Sequence, residues 1–276
     1  MERLLIVGLD RPEIEELRPR VDLPLIAWPT LPRIKVEGGQ LFAERVGAAG
    51  AFLPVSRVVY HGIFGDDFDA LTALALWAGP CLPNAVGMMD CRLRLPCLAR
   101  ALHVSRFNTM PRGFGDRGTR VAAADGGGVA KWGNWHCGEN KERFTGAWTC
   151  AEPTVVEQFI PGQAVRIMIV GDRHWQIALT GDDWRKSIHP DDAHFMPIDP
   201  LLLDDTRRLG AHFGLEMVGV DYMVGDDGTR HLLEVNHIPN VTRFPEIRQA
   251  YLDYVVEWLA GAARPSPAVA TTAGES

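Results

Sequence analysis

Three oxygen-bearing side chains late in the chain carry the strongest chemical signal. Val218-Gly-Val-Asp221-Tyr-Met-Val and His231-Leu-Leu-Glu234-Val-Asn236-His-Ile-Pro239 are alternating apolar runs, separated by Gly225-Asp226-Asp227-Gly228. That pattern predicts a hairpin over 216–224 and 229–235. In Glu234-Val-Asn236 the two-residue alternation puts both polar side chains on one face, and Asp221 on the partner strand can join them. Three hard oxygen donors with room for water suit Mg²⁺, which keeps coordination positions for phosphates. The same spacing also fits polar residues lining the solvated face of a hairpin, and spacing alone does not choose between the two. Arg243 follows closely and could fork onto a substrate carboxylate. No Ser/His/Asp or Cys/His constellation stands out, and His136-Cys137 with Cys150 matches no zinc spacing.

The elements that must position these residues read as α/β units. Leu4–Leu9, Pro24–Trp28 and Arg57–His61 are short buried strands. Arg33–Arg45 alternates about Gly38-Gly39 as a hairpin, and Asp66–Ala78 is a helix with acidic residues in its first turn. Met88–Leu102 reads as one helix kinked at Pro96. The Gly- and Arg-rich stretch from Met110 to Gly128 reads as a loop, after which Gly128–Trp132 is a strand carrying Lys131 near its end. Pro153–Ile160, Ala164–Val170 and Arg173–Thr180 follow as strands. The polar segment 181–200, with Arg185-Lys186, reads as an exposed loop. Leu201–Phe213 is a helix stopped by Gly214, and Ile247–Ala263 is a closing amphipathic helix. From Arg264 the Pro/Ala/Thr/Ser composition predicts a disordered tail. Trp132, Trp135 and Trp148 read as core packing rather than a pocket wall, and Gly8 lacks the glycine pattern of a dinucleotide site.

Several of these segments, taken in order, resemble the ATP-grasp enzymes. Gly-Val-Asp221 followed by Leu-Glu234-Val-Asn236-x-x-Pro239 is similar to their metal-binding signature, and Val155-Val-Glu157-Gln158-Phe159-Ile160-x-Gly162 to their adenine-bearing hinge strand. Asn84, Asp90 and the helix reaching Leu98-Ala-Arg100 resemble the segment entering the central lobe. Lys131 matches the phosphate-binding lysine of the family, and Arg166 an arginine that meets phosphate or acyl-phosphate. The resemblance covers residues 80–260, closest to the branch of ribosomal-protein S6 glutamate ligase and glutathione synthetase. It implies an α/β (α+β) fold with an N-terminal lobe over 1–85 and an ATP-grasp domain over 86–262. That domain divides into a central lobe over 100–155 and a C-terminal lobe over 156–262, followed by the tail 263–276.

The resemblance also implies ATP as cosubstrate, Mg²⁺ or Mn²⁺ on Asp221, Glu234 and Asn236, and adenine held at Glu157, Gln158, Phe159 and Ile160. Arg166, Arg185 and Arg243 would face the reacting groups. The chemistry would be carboxylate–amine ligation through an acyl-phosphate, on small-molecule or peptide substrates. A non-catalytic nucleotide- or peptide-binding descendant, or a kinase of a small acceptor, shares most of these features. The chain departs from the pattern at Ala164, where an acidic ribose contact is usual, and at Asn240, where glycine is frequent. It also differs in the aromatic-bearing loop Gly133-Asn-Trp135-His136-Cys-Gly138-Glu-Asn-Lys141. Cys91 replaces a lysine beside Asp90, with Arg92 or Arg94 as the cation in its place.

Composition bounds the partners. Lys and Arg total 28 against 35 Asp and Glu, a formal net charge of −7, which argues against a nucleic-acid or anionic-membrane binder. The apolar run Leu4–Leu9 is stopped by Asp10, short of a signal core, and the best apolar stretch, Ala70–Ala78, is too short to span a bilayer. Five cysteines with irregular gaps read as reduced thiols. Together these predict a cytoplasmic enzyme, for which a closed homodimer is the common default.

Overall fold

The computed structural model describes residues 2–123, 126–133, 140–180, 184 and 193–261. The N-terminal segment is built on continuous apolar runs. Strand β1 (Leu4–Val7) is buried along its whole length, as a strand covered on both faces must be. Helix α1 (Arg11–Leu17) leads to β2 (Leu25–Trp28), which pairs parallel with β1. An antiparallel meander follows as β3 (Ile34–Glu37), β4 (Gln40–Arg45) and β5 (Ala48–Val55). Strand β6 (Arg57–Tyr60) returns parallel to β1, helix α2 (Phe68–Trp77) packs behind, and β7 (Cys81–Leu82) completes a sheet in the order β2-β1-β6-β7. The hairpin at Gly38-Gly39 lies where the sequence placed it; β5 and α1 were not anticipated.

The expected helix 88–102 is two helices. Asn84 caps α3 (Ala85–Arg92), its side chain accepting hydrogen bonds from the Val86 and Gly87 amides. Leu93 is extended, and α4 (Arg94–Val104) starts anew. Pro96 is then the third residue of a first turn, where its missing N–H costs no intrahelical bond.

The stretch 110–128 is also more ordered than a loop. It supplies β8 (Arg112–Gly115) and β9 (Arg120–Ala122), followed by β10 (Gly128–Trp132), β11 (Lys141–Phe144), β12 (Ala147–Thr149) and β13 (Thr154–Gln158). The sheet β11-β10-β13-β8 is antiparallel, and β9 pairs with β12 as a separate ribbon. Trp132 and Trp148 stack at 5.7 Å between ring centroids and pack on Phe144, as core residues do; Trp135 lies outside the described residues.

The remaining chain forms an antiparallel sheet with the order β16-β15-β14-β17-β18. Its strands are β14 (Gly162–Val170), β15 (Arg173–Leu179), β16 (Ala193–Met196), β17 (Met217–Gly225) and β18 (Arg230–Asn236). Helix α5 (Pro200–Phe213) ends at Gly214 in the left-handed conformation, and α6 (Pro245–Gly261) closes the described chain. Strand β16 lies within the segment expected to be loop; the tail 263–276 lies outside the described residues. Leu5, Val7 and Val58 of the parallel sheet share one core with Val165, Ile167, Val220 and Leu232 of the five-stranded sheet. Each fully buried aliphatic side chain contributes about 1.5–3 kcal/mol, so this core fixes the two sheets against each other. Among the described residues no helix is long and apolar enough to cross a membrane. Cys81, Cys91, Cys97 and Cys150 are buried free thiols.

Candidate active site

Strands β17 and β18 set Asp221 directly opposite Glu234, and Gly219 opposite Asn236. Val220 and Tyr222 point into the core, which turns Asp221 to the other face. On β14, Arg166 is the register partner of Asp221 and grips it with a two-pronged fork, Nε to Oδ1 at 2.6 Å and Nη2 to Oδ2 at 2.8 Å. Asn236 Nδ2 donates to the same Oδ2 at 3.3 Å. A Cβ at Gly219 would stand 3.0 Å from the Pro239 Cβ and 3.6 Å from the Arg166 Cδ, so glycine makes room for the arginine stem.

A second charged cluster faces it from the four-stranded sheet. Glu157, 2% exposed, receives Arg112 Nε on Oε1 at 2.8 Å and Lys131 Nζ on Oε2 at 2.6 Å. Burial pushes the Glu157 carboxyl up, but the charges and hydrogen bonds of Lys131 and Arg112 outweigh it and hold the group below the usual carboxylate range. Arg112 also donates to the Leu232 carbonyl, tying β8 to β18.

Between the clusters opens a cleft of about 820 Å³, counting the space at its mouth that is open to solvent. Glu157, Gln158, Phe159 and Ile160 form one wall, Val129, Leu179, Met223 and Leu233 supply apolar surface, and Lys131, Asp221 and Glu234 face in. The Arg143 guanidinium carbon lies 3.6 Å from the centroid of the Phe159 ring. Arg166 stands behind Asp221 and is not part of the lining.

Two expected cations stand elsewhere. Arg92 is buried, ion-paired to Asp67 and bonded to the Phe64 carbonyl, so it braces α3 against the segment before α2 and does not line the cleft. The cation that does line it is Arg94, the first residue of α4. Arg243 is half-buried on the turn leading into α6 and is likewise not a lining residue. Arg185 lies outside the described residues.

Two further residues were not singled out from the sequence. Arg112 sits in the stretch read as loop, and Lys141 enters only through its pairing with Lys131 across β10 and β11. The Lys141 ammonium is held below its ordinary range by burial first, then by Lys131 and Arg94, with Glu234 and Asp221 opposing.

Among the described residues no group of three His, Cys, Asp or Glu side chains gathers as a metal cage. The donor set here is two carboxylates and an amide. A carboxylate has about four lone-pair sites, so Asp221 can hold the Arg166 fork and still offer oxygen to a cation. These are hard oxygen donors of the type Mg²⁺ takes, and the set fits such an ion.

No protein-family model and no curated protein matches the sequence. Solved structures do match in fold. The macrocyclase MdnC of Microcystis aeruginosa MRC, bound with its precursor peptide MdnA, superposes with a TM-score of 0.62 at 16% identity, covering 92% of this chain and 99% of that one. D-alanyl-alanine synthetase A from Vibrio cholerae O1 gives 0.62 at 13% identity, covering 95% and 98%. The ATP-grasp ligase PsnB, complexed with a minimal precursor, gives 0.61 at 13% identity, covering 96% and 100%. The likeness runs over nearly the whole of each chain: this chain has the ATP-grasp fold.

Proposed function

We propose that the chain is an ATP-dependent ligase that joins a carboxylate to an amine through an acyl-phosphate, with a peptide as one substrate. The observation that carries this reading is the cleft itself. A hinge wall at 157–160 adjoins facing sets of cations and carboxylates, an arrangement able to seat a polyphosphate and steady it. Phosphoryl transfer asks a protein mainly for positioning and charge compensation. Lys131 and Arg94 supply fixed positive charge to the cleft, while Arg166 orients Asp221. Asp221, Glu234 and Asn236 would hold a divalent cation, which would supply positive charge to offset that of the phosphates. The peptide assignment draws on MdnC and PsnB, both solved with precursor peptides, and on a PsnB structure that holds Mg and ADP beside the minimal precursor.

The test is a thermal-shift titration with ATP and GTP, with and without Mg²⁺, on the wild type and Glu234→Gln. A ligand at a hundredfold excess over its Kd stabilises by about 2.7 kcal/mol. A Mg²⁺-dependent ATP shift that Glu234→Gln abolishes is the expected outcome. Absence of any nucleotide shift in the wild type refutes the reading. Phosphate release on adding peptides separates a ligase from a kinase, which retains the phosphoryl group on its product.

A further inference from the structure

Lys131 and Lys141 are register partners on β10 and β11, and both side chains line the cleft. Like charges directly opposite on adjacent antiparallel strands destabilise a sheet. Here Lys141 is also desolvated, a cost that Glu234 and Asp221 offset only in part. Folds keep such a local conflict where a ligand resolves it.

Lys131, moreover, is already held by Glu157 at 2.6 Å, as is Arg112 at 2.8 Å. One carboxylate shared by two cations leaves that cluster with a formal charge of only +1. A nucleoside triphosphate brings about four negative charges, so the cleft needs cations that are not spent on Glu157. Lys141 meets that need. Its ammonium lies 5.8 Å from the Trp184 ring centroid and faces Lys131 on β10, Arg94 on α4, Asp221 on β17 and Glu234 on β18. An anion placed between Lys131 and Lys141 would remove their repulsion and lie beside the carboxylates that can hold a cation.

We infer that Lys141 binds the polyphosphate of the nucleotide, as a second ammonium opposite Lys131 at the Asp221–Glu234 end of the cleft. This rests on the reading of the chain as an ATP user.

The experiment is calorimetric titration of the full chain with Mg-ATP, Mg-ADP and adenosine, using wild type, Lys141→Met and Lys141→Arg, beside melts of each protein without ligand. Losing one charge-assisted phosphate contact should weaken Mg-ATP by about tenfold to a hundredfold. Adenosine, which has no phosphate, should change by less than about twofold, and Lys141→Arg should recover most of the loss. Without ligand, Lys141→Met should melt at or above the wild-type temperature, because a like-charge pair has gone. Mg-ATP affinity unchanged in Lys141→Met overturns the inference while leaving the ATP reading intact. An equal loss for adenosine and Mg-ATP assigns Lys141 a structural role and also overturns it. A wild type that binds no nucleotide refutes the ATP reading itself, and the inference with it.

Discussion

Substituting Glu157→Gln tests the cluster on which the cleft wall is built. The carboxylate is 2% exposed and serves two cations, Lys131 and Arg112, that are themselves 13% and 10% exposed. The amide keeps one acceptor oxygen but turns an N–H₂ toward the second cation, and the two positive groups then face each other with their counter-charge gone. Removing one partner of a buried ion pair costs about 3–5 kcal/mol, and the retained oxygen places this case near the lower end, at about 3–4 kcal/mol. At about 2–4 °C per kcal/mol for a chain of this order, the melting temperature should fall by about 6–16 °C at neutral pH. The pH dependence gives a second handle. The folded carboxyl titrates below its unfolded value, so its contribution is complete above about pH 4.3 and is lost as pH falls through the depressed value. Wild type and variant should therefore converge on acidification. Lys131→Met, which leaves the Arg112 pair in place, should cost less than Glu157→Gln. Differential scanning calorimetry from pH 7.5 to 3.5 reads all three. A Glu157→Gln melt within about 2 °C of wild type at neutral pH would refute the reasoning, as would a gap that does not narrow in acid.

Asp205 on α5 is fully buried and accepts from the Ser105 hydroxyl at 2.8 Å, the Arg106 amide at 2.7 Å and the Tyr222 hydroxyl at 3.0 Å. Tyr222 can turn to Thr206, also at 3.0 Å, so Asp205→Ala strands chiefly Ser105 and Arg106. It should cost about 3 kcal/mol in urea unfolding, and a loss below about 1 kcal/mol would contradict the network. At the end of β6, burial pulls the His61 imidazole down to about 4, with Glu13 opposing. The unfolded chain then takes up a proton that the folded chain refuses, so stability should be full above about pH 6.5 and fall toward pH 4. In His61→Phe that slope should be shallower, with the remainder including His231, whose imidazole is also held down by burial. Parallel stability curves for the two proteins would exclude the His61 contribution.

The sequence showed most where local chemistry and tertiary demand agree. The alternation around Asp221 and Glu234 with turn residues between them gave the hairpin, and Gly214 ended α5 where only a left-handed residue would serve. Gly128–Trp132 was read with its observed bounds. What escaped was set by partners distant in sequence. Strand β8 is Arg-Gly-Phe-Gly, which has little strand preference of its own and is extended because β13 pairs with it. Arg112 therefore stayed hidden in apparent loop. Lys141 could be found only from the register that sets it against Lys131. Arg92 and Arg94 were separated by the break at Leu93, which hands one to Asp67 and the other to the cleft. Pro96 held the signal, since proline belongs to the first turn of a helix and so marks a start near residue 94.

The cleft wall 157–160 is also the place where the chain passes from one sheet to another, from β13 to β14, with Gly162 completing the passage. That glycine has a φ of 148°, and a Cβ there would lie 2.1 Å from the Val224 carbonyl oxygen, so the crossing admits no side chain. Lys131 rides on one sheet and Asp221 on the other. The arrangement is that of a pair of tongs whose fulcrum is itself a seat. Were the angle between the two sheets to change, a group resting on 157–160 would be displaced less than one held between Lys131 and Asp221, which lie farther along the two arms.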